Sequence, residues 1–337
     1  MKENKKSYHK YFILLVVFLY LLWYNCGRNL KESRIRMLKE IPTFLYQRLV
    51  NQYGEELTKK IVLGYSEKRV VTLRINTIKT NKDFIEEELK KFGIIFKEVN
   101  FYNDALIIEN ANESKISSLK IYEDGYIYMQ SLSSMLPAII LSPKPNENIL
   151  DMTAAPGGKT TQISALSGNL ALVTACEKNK IRADRLKYNV EKQGANKVNI
   201  MITDARKLSN YFSFDKVLLD APCSGSGTIS VYEENLEKYF TEELITRSAK
   251  TQYDLLQKAV SVLKSGHEMI YSTCSILEEE NENNIRKILS SNNVEIVPIN
   301  TESLGEIPLL PTKIEGTLCV CPNNLFEGFF VAKLKKK

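Results

Sequence analysis

The hydrophobic positions along this chain change their period once, near residue 131. Before that point the pattern is mixed. Apolar residues recur at helical spacing over 41–53 and again over 55–64. A strand-like run follows at 70–75. A charged amphipathic stretch at 82–92 predicts a helix, and short strand patterns follow at 94–99 and 105–108. This is the pattern of a small α+β domain, with residues 125–130 leading out of it. From about 131 strand and helix signals alternate. Strands are expected at 148–152, 170–176, 198–202, 216–220 and 268–272, with late strands at 294–298 and 329–334. Helices are expected at 159–166, 180–192, 242–263 and 279–289. Such alternation predicts a doubly wound, Rossmann-like α/β sheet with a mostly parallel core. The chain therefore divides into a leader (1–36), an N-terminal α+β domain (37–125) and an α/β domain (126–337).

The leader stands apart. Residues 11–24 form an unbroken apolar run behind Lys2, Lys5, Lys6 and Lys10. A membrane-spanning helix needs about 20 apolar residues, whereas a signal-peptide core needs roughly 7–15. Three readings are open: a start upstream of a true initiator at Met37, a membrane anchor or organelle leader, or a segment packed on the body. The cytoplasm is the expected location, with membrane anchoring or organelle targeting through residues 1–36 as the alternative and 11–24 as the stretch that would touch a membrane.

Charge sharpens this division. Residues 1–36 hold eight Lys/Arg against two Asp/Glu, which supplies the whole net charge of +6. The remaining residues carry 38 of each sign, so any nucleic-acid affinity in the body must come from a local patch rather than a global field. The six cysteines are too few and too scattered for a disulfide framework, and free thiols are expected. With only His9 and His267 present, a catalytic triad or multi-histidine metal site is excluded, and no metal is expected.

The candidate chemistry lies at the carboxyl ends of the expected strands, where such sheets bind ligands. The first strand runs into Asp151-Met-Thr-Ala-Ala-Pro-Gly-Gly-Lys-Thr160. Gly157 and Gly158 permit a tight turn and close backbone approach ahead of a helix N-terminus. Glu177 closes the second strand, where an acid can accept from ribose hydroxyls, and Asp204 closes the third, near an adenine. The pattern suggests a nucleoside cofactor. Lys159 lacks the glycine spacing of a phosphate-binding P-loop, which excludes phosphate hydrolysis. The fourth strand ends in Asp220-Ala-Pro-Cys-Ser-Gly-Ser-Gly-Thr228 and the fifth in Tyr271-Ser-Thr-Cys-Ser275. Strands four and five are neighbours in this sheet type, so Cys223 and Cys274 should face one cleft. A lone cysteine is usually a small buried hydrophobe, and Cys176, Cys319 and Cys321 are read that way.

These segments together resemble the RsmB/Sun (NOP/Sun) family of RNA cytosine-5 methyltransferases. The resemblance runs from about residue 70 to the C-terminus. It takes in residues 73–77, Gln130-Ser131, the 154–160 loop, both cysteine motifs, Gln252, Glu280-Asn-Glu282 and Gly328-Phe-Phe330. It implies S-adenosylmethionine as cofactor, held by Thr153, Ala154, Ala155, Pro156, Gly157, Gly158, Lys159, Glu177, Arg182, Asp204 and Asp220. It implies Cys274 as nucleophile, Cys223 as the residue assisting product release, and Lys159 and Asp220 beside the base. It also makes the N-terminal domain an RNA-binding module and the protein a monomer acting on rRNA, or next on tRNA, with no obligate protein partner. Departures are Thr153 where cysteine is frequent, Glu177 where aspartate is frequent, and His267 after Gly266.

The chemistry explains the thiols. Carbon 5 of cytosine is a poor nucleophile until a thiolate adds to carbon 6, so the site must supply a thiolate from a group whose ordinary pKa is near ~8.5. A carboxyl near the ring nitrogen, the place of Asp220, stabilises the adduct. A DNA cytosine-5 methyltransferase would use the Pro-Cys cysteine and leave the Thr-Cys motif without a role. A non-catalytic RNA scaffold would have no need of both cysteines and the glycine loop.

Overall fold

The structure, a computed structural model, describes residues 41–291 and 293–337. The expectations for residues 1–36, including the apolar run at 11–24, fall outside the described residues. No helix among the described residues is long and apolar enough to cross a membrane.

Helix α1 (Thr43–Ser66) joins the two expected helical stretches, with a break at Gly54, whose φ of 77° a side chain would oppose. Its stripe of Leu45, Leu49, Tyr53, Ile61 and Tyr65 is buried, and it packs on the core of the large sheet rather than on the N-terminal strands. The N-terminal unit itself is β1 (Val71–Ile75), α2 (Lys82–Lys91), β2 (Phe96–Glu98), β3 (Ala105–Ile108), the short helices α3 (Glu113–Ser117) and α4 (Lys120–Glu123), and β4 (Ile127–Met129). Asn81 caps α2, whose Ile85 and Leu89 face inward. The sheet is antiparallel in the order β2-β3-β1-β4. Residues 125–130, expected to lead out of the domain, thus supply its fourth strand.

The second unit begins with α5 (Leu132–Leu141), β5 (Asn148–Asp151), α6 (Gly158–Leu166), β6 (Leu172–Cys176), α7 (Lys180–Gln193) and β7 (Val198–Met201). It continues through β8 (Phe214–Asp220), α8 (Leu236–Tyr239), α9 (Glu242–Val262), β9 (Leu263–Thr273), α10 (Glu282–Leu289) and β10 (Val294–Ile296). The short strands β11 (Leu309–Leu310) and β12 (Leu318–Val320) precede the long β13 (Phe329–Lys336). The order β11-β12-β13-β9-β8-β5-β6-β7 has a parallel core from β9 to β7 and antiparallel strands beyond β9. The alternating side chains feed two cores. Ile149, Leu218, Ile270 and Val331 pack under α5 and α6, while Leu150, Val217, Tyr271 and Phe330 pack under α1, α9 and α10.

The direction of winding reverses between β5 and β8, so a crevice opens beyond Asp151 and Asp220. Buried Arg74 of β1 ties the two units together, donating to Gln130 Oε1 at 3.2 Å and to Thr161 Oγ1 of α6 at 3.0 Å. Asn76 adds bonds to the Gly125 and Gln193 carbonyls.

Candidate active site

Cys223 follows β8 and Cys274 follows β9, two neighbouring parallel strands in which Asp220 pairs with Ser272. Their sulfurs lie 3.0 Å apart and both thiols are free. The bond to Cys274, burial, and the nearby charge of Glu280 hold the Cys223 thiol well above its ordinary value. On the other side stands Lys159, at the start of α6. Its Nζ is 2.7 Å from Asp220 Oδ2 and donates to Ser134 Oγ at 2.7 Å. Burial alone would lower the Lys159 pKa, but Asp220, Asp151 and Cys274 outweigh it and raise the net value. Asp220 Oδ1 accepts from Ser272 Oγ at 2.8 Å, and Thr153 Oγ1 donates to the Asp220 carbonyl. A lysine, a carboxylate and two thiols therefore share one edge of the sheet. That set can supply a nucleophile, a second sulfur for proton transfer, and a charge pair for a polar ring.

Two clefts meet at this edge. One runs over the ends of β5, β6, β7 and β8 and is lined by Thr153, Ala155, Glu177, Arg182, Asp204, Asp220 and both cysteines. Glu177 is buried, accepts from Asn179 N at 2.8 Å, and faces Arg182 at 3.6 Å. Arg182 also donates to the Ala155 carbonyl. Hydrogen bonds from Arg206 lower the Asp204 pKa, burial opposing them. The other cleft lies on the seam between the two units. It is lined by Ala154, Pro156, Gly158, Lys159 and Asp220, with Tyr128, Gln130, Ser134 and Glu327 opposite.

Of the residues expected at the cofactor, Thr153, Ala155 and Asp220 border both clefts, while Ala154, Pro156, Gly158 and Lys159 border only the seam cleft. Gly157, at a φ of 111°, turns toward Leu186 and Asn189 of α7. A side chain on Gly158 would first meet the Tyr128 ring, 3.1 Å away, so this glycine serves the closure of the seam. Sequence reasoning missed Lys178, Thr203, Arg206 and Pro222 on the first cleft, and Tyr128, Ser134 and Glu327 on the second. The last of these comes from the flank of β13. Because β13 is antiparallel to β9, its N-terminal end arrives at the same edge as the strand carboxyl ends.

Residues 138–335 match the family model for the 16S rRNA methyltransferase RsmB/F, and residues 41–114 match the ferredoxin-like domain of RsmF/B-like methyltransferases. The chain is 31% identical to the 25S rRNA (cytosine-C(5))-methyltransferase nop2 of Schizosaccharomyces pombe, over 92% of this chain and 54% of that protein. It is 34% identical to the ribosomal RNA small subunit methyltransferase F of Shewanella loihica, over 79% of this chain and 56% of that protein. It thus spans about half the length of these relatives. The crystal structure of a methyltransferase homolog protein from Pyrococcus horikoshii superposes with a TM-score of 0.78 at 30% identity, over 90% of this chain and 99% of that one. With both units matched in sequence order and the α/β unit matched almost end to end, this chain belongs to the RsmB/F methyltransferase family.

Proposed function

We propose that this chain methylates carbon 5 of a cytosine in RNA, with Cys274 as the attacking residue and Cys223 as the residue that completes release. The observation that carries this reading is the pair of sulfurs 3.0 Å apart beside the Lys159–Asp220 pair. Both relatives named above act, by their names, on ribosomal RNA, which makes rRNA the first substrate to test and tRNA the second. S-adenosylmethionine supplies the methyl group. The first cleft fits a nucleoside group, because Glu177 and Asp204 offer acceptors to hydroxyl and amine donors at the ends of β6 and β7.

The residues divide the work. The Cys274 thiolate bonds to carbon 6 of the base, and the electron pair of the 5,6 double bond moves toward carbon 5 and the ring nitrogen side. Lys159, held in place by Asp220, stabilises the negative charge that gathers there. After methylation a base takes the proton on carbon 5, the 5,6 double bond re-forms, and the Cys274 sulfur leaves. Cys223, at 3.0 Å from Cys274, is the group within reach of that last step. The N-terminal four-stranded unit is read as an RNA-contacting surface, and the cytoplasm as the place where RNA and cofactor meet.

Rates and adducts with labelled cofactor and rRNA test this. Cys274→Ala should be inactive and form no adduct. Cys223→Ala should methylate once and remain bound to RNA through Cys274 under denaturing electrophoresis. An adduct in Cys274→Ala, and none in Cys223→Ala, would reverse the roles in the manner of a DNA-type enzyme. Two active variants without any adduct would end the covalent reading.

A further inference from the structure

Behind the cysteine pair lies a fully buried carboxylate that the chemistry above does not use. Glu280 Oε1 accepts from Ser224 N at 2.7 Å and Gln252 Nε2 at 3.0 Å. Its Oε2 accepts from Ser224 Oγ at 2.5 Å and Ser275 Oγ at 2.6 Å. These four donors fill the four acceptor positions of an ionised carboxylate. Burial raises the Glu280 carboxyl above the ordinary carboxylate range, and among the described residues hydrogen bonds rather than an ion pair hold the group. Ser224 immediately follows Cys223 and Ser275 immediately follows Cys274. Gln252 anchors the arrangement to α9 and also donates to the Pro222 carbonyl, one residue before Cys223.

We infer that Glu280 is the positioning residue of the cysteine pair: one carboxylate grips the residue after each cysteine and so sets the spacing of the two sulfurs. The surroundings make this grip rigid. Tyr65 and Tyr53 of α1 donate to the Ser226 and Ile276 carbonyls, which brace both loops from behind. Gly227 N donates to the Cys274 carbonyl, and the Ser226 and Ser275 hydroxyls meet at 2.8 Å. Without the carboxylate, the half-buried Ser224 N–H would lose its partner and the Cys223 loop would be drawn to another acceptor. Its consequence for catalysis rests on the proposed roles of the cysteines, but the grip itself does not.

The two claims separate in one set of experiments on the full chain. Diamide takes two electrons and two protons from a thiol pair, becoming the hydrazine and leaving a disulfide. The rate of Cys223–Cys274 bridging, read by mass spectrometry of the joined peptides, therefore reports sulfur spacing without RNA. Glu280→Ala should bridge roughly 10–100-fold more slowly than the native chain, the penalty of a displacement near an ångström. Glu280→Gln should bridge at close to the native rate. Its carbonyl can still accept from Ser224 N and Gln252, and its amide can donate to the two serine hydroxyls, which reverse their roles. Ser275→Ala, which removes one bond of the four, should fall between, and it carries the test if Glu280→Ala does not fold.

Native-rate bridging in folded Glu280→Ala would overturn the grip. So would Glu280→Gln bridging as slowly as Glu280→Ala, because charge and not hydrogen bonding would then set the spacing. A second arm follows labelled methyl transfer to rRNA. Glu280→Ala should lose more in multiple turnover than in the first turnover, because release needs Cys223 in register. Slower bridging with equal loss in both regimes would leave the grip standing and refute the release role of Cys223.

Discussion

The two clefts that meet at Asp220 are built by different means. The first is made from consecutive strand ends of one parallel sheet, and its acids Glu177 and Asp204 stand where the winding of that sheet puts them. The second needs parts that are distant in sequence: β4 of the N-terminal sheet, the start of α5, the glycine loop, and the flank of β13. A local strand–turn–helix pattern is enough to hold a nucleoside. In the proposed reading, the base enters the second cleft, whose far wall comes from the N-terminal unit. The difference predicts that substitutions in one cleft should alter cofactor affinity, and substitutions in the other should alter capture and activation of the base.

The largest expected effect tests that division at Lys159, which lines only the seam cleft. Lys159→Met removes a preorganised positive charge, a loss worth about 10²–10³ in rate for comparable electrostatic contacts. Methyl transfer should fall by that order while calorimetry shows near-native affinity for S-adenosylhomocysteine. An equal loss in both measurements would mean that the two clefts act as one. Glu177→Ala should show the converse. Removing this buried acceptor should weaken S-adenosylhomocysteine by roughly 1–3 kcal/mol, as for hydrogen bonds to charged groups, and leave RNA affinity in a filter or gel assay unchanged.

How much of each cleft was legible in the sequence follows from how each is built. The apolar runs of β5 and β8 and the acids that close the strands mark a parallel sheet and its ligand edge, and the cysteine motifs fall on adjacent strands as expected. Three features had no local signal. α5 is apolar on nearly every side and contains Pro137, so it shows no helical period. The Leu45, Leu49, Tyr53 stripe of α1 announces a buried face but not the sheet it covers. Tyr128 and Met129 read as a connecting segment, because pairing of β4 with β1 joins residues far apart in sequence. The contacts of Glu280 likewise join three segments: Gln252 and Glu280 entered the resemblance singly, and nothing local tied them to the serine after each cysteine.

Gly158 tests the seam at a smaller scale. A Cβ there would sit 3.1 Å from the Tyr128 ring, tight enough that the ring must shift. Gly158→Ala should destabilise the chain by about 1–3 kcal/mol in urea unfolding, the usual cost of overpacking. Tyr128→Ala in the same background should recover part of that loss. No recovery would place the strain at the cofactor side, as the sequence alone suggested.

The smallest effect concerns Asp151, which lies beneath the loop dividing the clefts. Burial pushes its carboxyl up to about 6, with the charge of Asp220 adding and the Thr160 hydroxyl opposing. In the unfolded chain the same group titrates near ~3.9. Between these values the folded state binds more protons than the unfolded one, so this residue's contribution to stability grows as pH falls through 6 and fades as pH rises. Between pH 7 and pH 5 the gain should be about 1 kcal/mol. Glu280 and Glu282 are also raised by burial, so the pH dependence of the native chain sums several groups. Asp151→Asn keeps the shape and an acceptor for Thr160 but has no proton to exchange. The difference between native and Asp151→Asn chains in urea unfolding, followed from pH 7 to pH 5, isolates the one residue. A difference that stays flat across that interval would show that Asp151 ionises at its ordinary value, and that the floor beneath the two clefts is more open to water than its burial implies.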